Sequence, residues 1–204
     1  MNLTRTSLLL GFVALLQACA SAPFSKPVEN AASLALYQQH LQSIAAIEQF
    51  TLKGRIGVQA DGKGFSGSLN WQHDNANDDI SLYSPLGGQV ASIKKTANEV
   101  TLEDAKGNRT SAPDAESLTQ TALGWRLPLA GLADWSLGRP TSSTIQASTW
   151  DELGHLSTLK QDGWSIEYQN YAEQNGRFLP NKILLKSEKL NLKLLVEEWE
   201  SLKN

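Results

Sequence analysis

The sequence predicts a mainly β fold with three helices: ten or eleven antiparallel strands whose sheet curls as it twists, with helices filling its concave side. Three observations predict it. Apolar and polar residues alternate with a period of two over most of the chain from Phe50 onward. Short polar turns separate these runs, as at Asp61-Gly62-Lys63-Gly64, Asp104-Ala105-Lys106-Gly107-Asn108, Asp162-Gly163 and Asn175-Gly176. The alternation is interrupted once, mid-chain, by a stretch with helix start and stop signals. An antiparallel sheet this long curls as its twist accumulates. At 204 residues, 41% hydrophobic and 19% charged, the chain can bury one real core and has an ordinary globular composition. A formal net charge of -3 with no basic block argues against nucleic-acid binding.

The N-terminus is of another kind. Arg5 gives a positive start, Leu8 to Leu16 a short apolar run, and Leu16-Gln17-Ala18-Cys19 follows. The run is too short to span a bilayer and reads as a secretory signal peptide. Leu16-Gln17-Ala18-Cys19 resembles the bacterial lipobox, in which the cysteine is lipidated and becomes the first mature residue; Gln17 departs from the small or aliphatic residue usual there. Cys19 is the one cysteine in the chain, so it can make no internal disulfide. The expected division is residues 1–18 as a cleaved signal peptide, 19–30 as a lipidated tether and 31–204 as a single domain. Ala20 and Ser21, with no Asp after the cysteine, resemble an outer-membrane address. No second hydrophobic segment follows, so the mature protein is not expected to span the bilayer.

From about Ala31 to Glu48, Leu34, Tyr37, Leu41, Ile44 and Ile47 recur at helical steps, an amphipathic helix whose stripe docks on the sheet. Strands follow: Phe50 to Val58, then Phe65 to Trp71, each with apolar residues on one face. His73 to Asp79 is polar and reads as a turn, with His73 solvated and Asp78-Asp79 a solvated loop pair. Ile80 and Leu82 open a third strand that breaks at Ser84-Pro85-Leu86-Gly87-Gly88. A turn tip faces water, so Leu86 is out of place by type; on type alone it reads as a leucine folded back onto the sheet or as one of the scattered exposed leucines that need no explanation. Strands at 89–96 and 98–104 and a short one near Arg109 complete the meander. Ser111-Ala112-Pro113-Asp114 announces a helix with Leu118, Ala122 and Leu123 on its apolar side. Gly124 to Gly138 carries two tryptophans and four leucines with almost no charge, and Pro128 starts a second short helix in it. Such a segment lies against something or lines something. The last third returns to strands at 153–161, from Trp164, at 179–186 and at 190–199.

No catalytic pattern stands out. Gly62-Lys63-Gly64-Phe65-Ser66-Gly67 has G-x-G-x-x-G spacing but lies in a hairpin with no helix after it, so it reads as turn glycines. His40, His73 and His155 stand near no other ligand type at metal spacing. The sequence implies no enzyme, metal or cofactor.

Four features in this order and spacing resemble the LolB family: the lipobox, the Tyr83-Ser84-Pro85-Leu86-Gly87 loop, the Asp104-to-Arg109 turn and the Gly124-to-Pro140 segment. The resemblance covers nearly the whole chain. It implies an incomplete, strongly curved antiparallel β-barrel of about eleven strands, capped by three helices around an apolar cavity. It further implies a monomeric outer-membrane receptor that takes acylated lipoprotein cargo from a soluble periplasmic LolA-like carrier and releases it into outer-membrane lipids. Cys19 would carry the N-acyl and S-diacylglycerol groups, and Ser84, Pro85, Leu86 and Gly87 would form the membrane-insertion loop. The expected acyl-chain lining from the strands is Ile56, Val58, Phe65, Leu69, Trp71, Leu82 and Val100, joined by Trp164, Ile166 and Leu194. The cap adds Leu127, Leu129, Leu132 and Trp135. Ser92 and Lys94 depart from the family pattern and leave open which face of their strand looks inward. Two other readings stay open: a lipoprotein holding a free apolar ligand, and a structural scaffold for envelope assembly with a filled core.

Overall fold

The computed structural model describes residues 31–203 apart from 61, 76 and 125; the signal peptide, Cys19, the tether and Trp125 lie outside the described residues. The elements run α1 (Ala31–Ala45), β1 (Gln49–Ala60), β2 (Lys63–Asp74), β3 (Asn77–Tyr83), β4 (Gln89–Lys95), β5 (Val100–Asp104), β6 (Arg109–Ala112), α2 (Ala115–Leu123) and α3 (Leu129–Ser136). Then come β7 (Ile145–Trp150), β8 (Leu156–Gln161), β9 (Trp164–Gln174), β10 (Arg177–Lys186) and β11 (Leu190–Lys203). All eleven strands form one antiparallel sheet in the order β6-β5-β4-β3-β2-β1-β11-β10-β9-β8-β7. Two hairpin meanders therefore meet where β1 pairs with β11, and β6 and β7 are its open edges. Register shifts in the β1–β11 pair, between Thr51 and Leu52 and between Lys53 and Gly54, are bulges of the kind that sharpen twist.

Antiparallel order fixes which turns share an end. The β1–β2, β3–β4, β5–β6, β8–β9 and β10–β11 turns emerge at one end, here the Leu86 end. The β2–β3, β4–β5, β7–β8 and β9–β10 turns emerge at the far end, where α1 leads into Gln49. Strand alternation is regular: in β1, Phe50, Leu52, Ile56 and Val58 are buried between more exposed neighbours. In β4 it is Ala91 and Ile93 that point inward, with Lys94 outside.

The structure corrects the sequence reading in four places. The helix α1 buries Ser33, Tyr37, His40 and Ile44, whereas Leu34 is 41% exposed. Its seat is set by Trp150, which stacks on Tyr37 with centroids 4.7 Å apart and donates its indole N–H to Ser33 Oγ. That rotates the buried line from 34 and 41 to 33 and 40. Second, 145–150, not singled out by its pattern, forms the edge strand β7, exposed over its first half. Third, Asp78 is buried on β3 instead of solvated in a loop. Fourth, His73 is the last but one residue of β2, half-buried, and bonded to Asp78 across the hairpin.

Candidate functional site

Two features at the Leu86 end define the site. The first is the β3–β4 loop. Ser84 N–H donates to Gly88 O at 2.8 Å and Gly87 N–H to Ser84 O at 2.9 Å, closing a tight loop over Pro85, Leu86 and Gly87. Proline fixes the first loop position, and Gly87 takes the left-handed conformation (φ 85) that closes a three-residue hairpin loop. Leu86, between them, is 98% exposed. The loop geometry holds the leucine out while its backbone bonds are satisfied.

The second feature is the interior under the helices. Asp114 caps α2, its side chain accepting from Ser117 N–H at 2.8 Å, and Gly124 ends it in the left-handed conformation. Thr119, fully buried, accepts the Leu127 N–H at 2.9 Å and so ties α2 to the start of α3. This folds the charge-poor segment back against the sheet. Leu127, Leu129, Leu132 and Trp135 are each at most 2% exposed and share one continuous core with the inward residues of the strands. All fourteen residues expected to line the interior are brought together. Ile56, Val58, Leu69, Trp71, Leu82, Val100, Ile166 and Leu194 are buried in that core, and Phe65 and Trp164 are half-buried at its margin. Cap and sheet side chains here pack on one another.

Open space lies at the rim. A cleft of about 680 Å³ separates Glu116, Gln120, Gly124, Arg126 and Pro128 of the cap from Ala60, Trp164 and Leu190 of the sheet and from the polar Asp162, Ser187, Glu188 and Lys189 of its turns. Its sheet side is built from the β1–β2, β8–β9 and β10–β11 turns, so it opens at the same end as the Leu86 loop. Trp164 stands 6.2 Å from Trp135, which links the rim to the core. A second hollow of about 510 Å³ runs over β1, β2, β9, β10 and β11, where Val58 and Phe65 meet exposed polar residues such as Gln59, Ser165, Asn191 and Lys193.

Sequence reasoning missed the residue that fixes the cap. Gln161, fully buried on β8, accepts from Trp135 Nε1 at 3.1 Å and from Thr141 N at 3.0 Å. Its amide donates to Thr141 O and to Ser143 O. The signal was present: Gln161 stands two residues after the buried Leu159, on the same face of a strand. Arg139 adds a second fastening, donating to Asp134 Oδ1 at 2.7 Å and to the carbonyls of Ile44 and Ala45 at the end of α1. Among the described residues no group of three or more His, Cys, Asp or Glu stands in a metal-holding arrangement, and no helix is long and apolar enough to cross a membrane. What the site offers is a packed apolar interior and, at the Leu86 end, a rim cleft whose lining is largely polar and charged.

Comparison with known proteins agrees with this geometry. The family model described as outer membrane lipoprotein LolB matches residues 48–199. The outer-membrane lipoprotein LolB of a Pseudomonas fluorescens strain is 33% identical over 195 residues, covering 96% of this chain and 95% of its own. That of Pseudomonas aeruginosa is 34% identical over 188 residues, 92% of each chain. In fold, the crystal structure of a LolA superfamily protein from Nitrosomonas europaea superposes with a TM-score of 0.50 at 11% identity, over 80% of this chain and 92% of that one. A curled eleven-stranded sheet with helices over its inner face, and a match spanning most of its length, have one common account: the chain belongs to the LolB family of outer-membrane lipoproteins.

Proposed function

We propose that this protein is a lipid-anchored receptor on the periplasmic face of the outer membrane. It accepts the acyl chains of other lipoproteins from a soluble LolA-like carrier between its sheet and its cap, and releases them into the bilayer. Cys19 carries the anchor, and Ser84 to Gly87 make the membrane contact. The observation that carries this reading is Leu86, 98% exposed at the end where the cleft beneath the cap opens. The physics of the cargo supports it. Each buried methylene is worth ~0.8 kcal/mol, so the chains of one lipoprotein do not cross water unaided. A receptor need hold them only slightly better than the carrier, since each 1.4 kcal/mol is about tenfold in equilibrium. Transfer of this kind needs no nucleotide, metal or covalent step.

Packing between cap and sheet means that the incoming chains displace cap side chains. The cleft at Gly124 to Pro128 is where that displacement begins. The test is Leu86→Glu in the mature lipoprotein. Seating one leucine in a membrane contributes about 1.5–3 kcal/mol, so release of cargo into phospholipid vesicles should fall at least roughly tenfold. Thermal stability and uptake from the loaded carrier should stay at parent values. Parent-level release by the variant would remove the loop from the mechanism, and failure of the parent to take cargo from the carrier would remove the receptor reading itself.

A further inference from the structure

At the far end, α1 lies over β7, the β7–β8 loop, β9 and β10 and covers a histidine pair that the transfer function does not use. His40 is 7% exposed, and its Nε2 is buried with no hydrogen-bond partner. Its ring meets that of His155 edge-on at 4.8 Å and that of Tyr171 at 5.9 Å. His155 in turn stacks on Tyr171 at 4.6 Å. The fit is close in the backbone too: a Cβ on Gly154 (φ 82) would stand 2.3 Å from the carbonyl carbon of Leu36.

We propose that α1 is an acid-released strap: protonating His40 places an unpaired charge in this aromatic seat, and the helix leaves the sheet while the sheet stays folded. The geometry allows it. Apart from its apolar side chains, α1 is held at its edges by Trp150 to Ser33, Arg139 to the Ile44 and Ala45 carbonyls and Arg177 to the Ser43 carbonyl. None of these is a ladder bond of the sheet, which begins at Gln49.

The charged and titratable groups around His40 are few. Its own helix supplies Tyr37, and β9 supplies Tyr168 and Tyr171. The β7–β8 loop supplies His155 and Asp151, whose side chains meet at 3.3 Å. Arg139 and Arg177 reach the helix only at backbone carbonyls nearer its end. Asp151 is thus engaged by His155 and leaves His40 without a counter-ion of its own. Burial first, and the neighbouring His155 second, press the His40 ring down from 6.5 to about 4, against the opposing charge of Asp151. A histidine held neutral in the docked state gives no pH dependence above 6.5. Below it the released helix binds the extra proton, so docking weakens about tenfold per pH unit until about 4.

Hydrogen exchange measured on the mature lipoprotein tests this. Between about pH 6.5 and about pH 4.5, protection of 31–45, corrected for intrinsic rates, should fall roughly fortyfold more than protection of β1 and β11. In His40→Leu the extra fall should vanish. Loss in step with the strands, or an undiminished fall in His40→Leu, would overturn the strap. Should that variant not fold, imidazole resonances of the parent decide: a His40 ring titrating near its ordinary value contradicts the proposal, and one still neutral at about pH 5 supports it.

Discussion

Asp78 keeps a carboxylate almost wholly out of water by meeting three donors. Trp71 Nε1 lies 2.8 Å and His73 Nδ1 2.7 Å from Oδ1, and Lys95 Nζ lies 3.2 Å from Oδ2. Burial acts to raise its pKa, but the bonds from His73 and Trp71 and the charges of His73 and Lys95 outweigh it and hold the group below its usual 3.8. A depressed carboxylate contributes stability that is present above its ordinary value and lost as pH falls through the lower folded one. Asp78→Ala orphans the three donors and should cost about 3–5 kcal/mol in urea unfolding at neutral pH. Asp78→Asn should flatten the acid limb of the stability profile. None of this was legible in the chain, where His73 to Asp79 reads as a polar turn. The pairing depends on register, since His73 faces Asp78 across the hairpin, and with the strand taken to begin at Ile80, Asp78, two residues before it on the same face, falls outside the alternation. Leu86 is the opposite case. A leucine between proline and two glycines has no strand or helix in which to hide, but residue type alone equally let it fold back onto the sheet; the tip position pointed outward only with the family resemblance beside it.

At the scale of elements, most strands and all three helices were legible, because period and punctuation are local. The face a helix presents is not local. The seat of α1 is chosen by Trp150, more than a hundred residues away, and a serine and a histidine take places that hydropathy gives to leucines. The cap obeys the same rule. Its apolar segment could be recognised as buried from composition, but what fixes it is the amide of Gln161 on β8. Replacing that amide by Gln161→Leu leaves the buried Trp135 indole N–H and the half-buried Thr141 N–H without their acceptor. At about 1–3 kcal/mol for each orphaned donor, the midpoint of thermal unfolding should drop by several degrees. The loss should be felt first in the cap: exchange of the α3 amides should quicken while β1 and β11 stay protected. Uniform quickening across the sheet would contradict a local role for Gln161.

For the whole molecule, the strand order explains why the site is where it is. Two meanders joined at β1 and β11 leave free edges at β6 and β7, and α2 and α3 are the chain's only connection between them. The cap is fixed at the α3 end through Gln161 and Arg139, α2 docks on β5 and β6, and the cleft lies at the corner between the two helices. Sequence could name the residues of that interior but not how tightly cap and sheet fill it, since packing is a property of the folded set.

The opposed ends also carry a mechanical consequence. With the acyl anchor proposed at Cys19, the leash enters the body through α1 at the far end, while Leu86 projects from the near one. Even β3 alone separates those ends by roughly 23 Å, at about 3.3 Å per residue. From Cys19 to Ala31 a taut chain reaches about 40 Å, long enough for the body to lean over and set its tip on the bilayer from which it hangs. With 23–30 deleted the leash spans roughly 14 Å, and the tip is held off. Such a variant should still take cargo from the carrier yet deliver it poorly to the membrane that holds it, while a second, protein-free population of vesicles is served no worse than by the parent. Equal delivery to its own membrane would mean that the body does not need to tip.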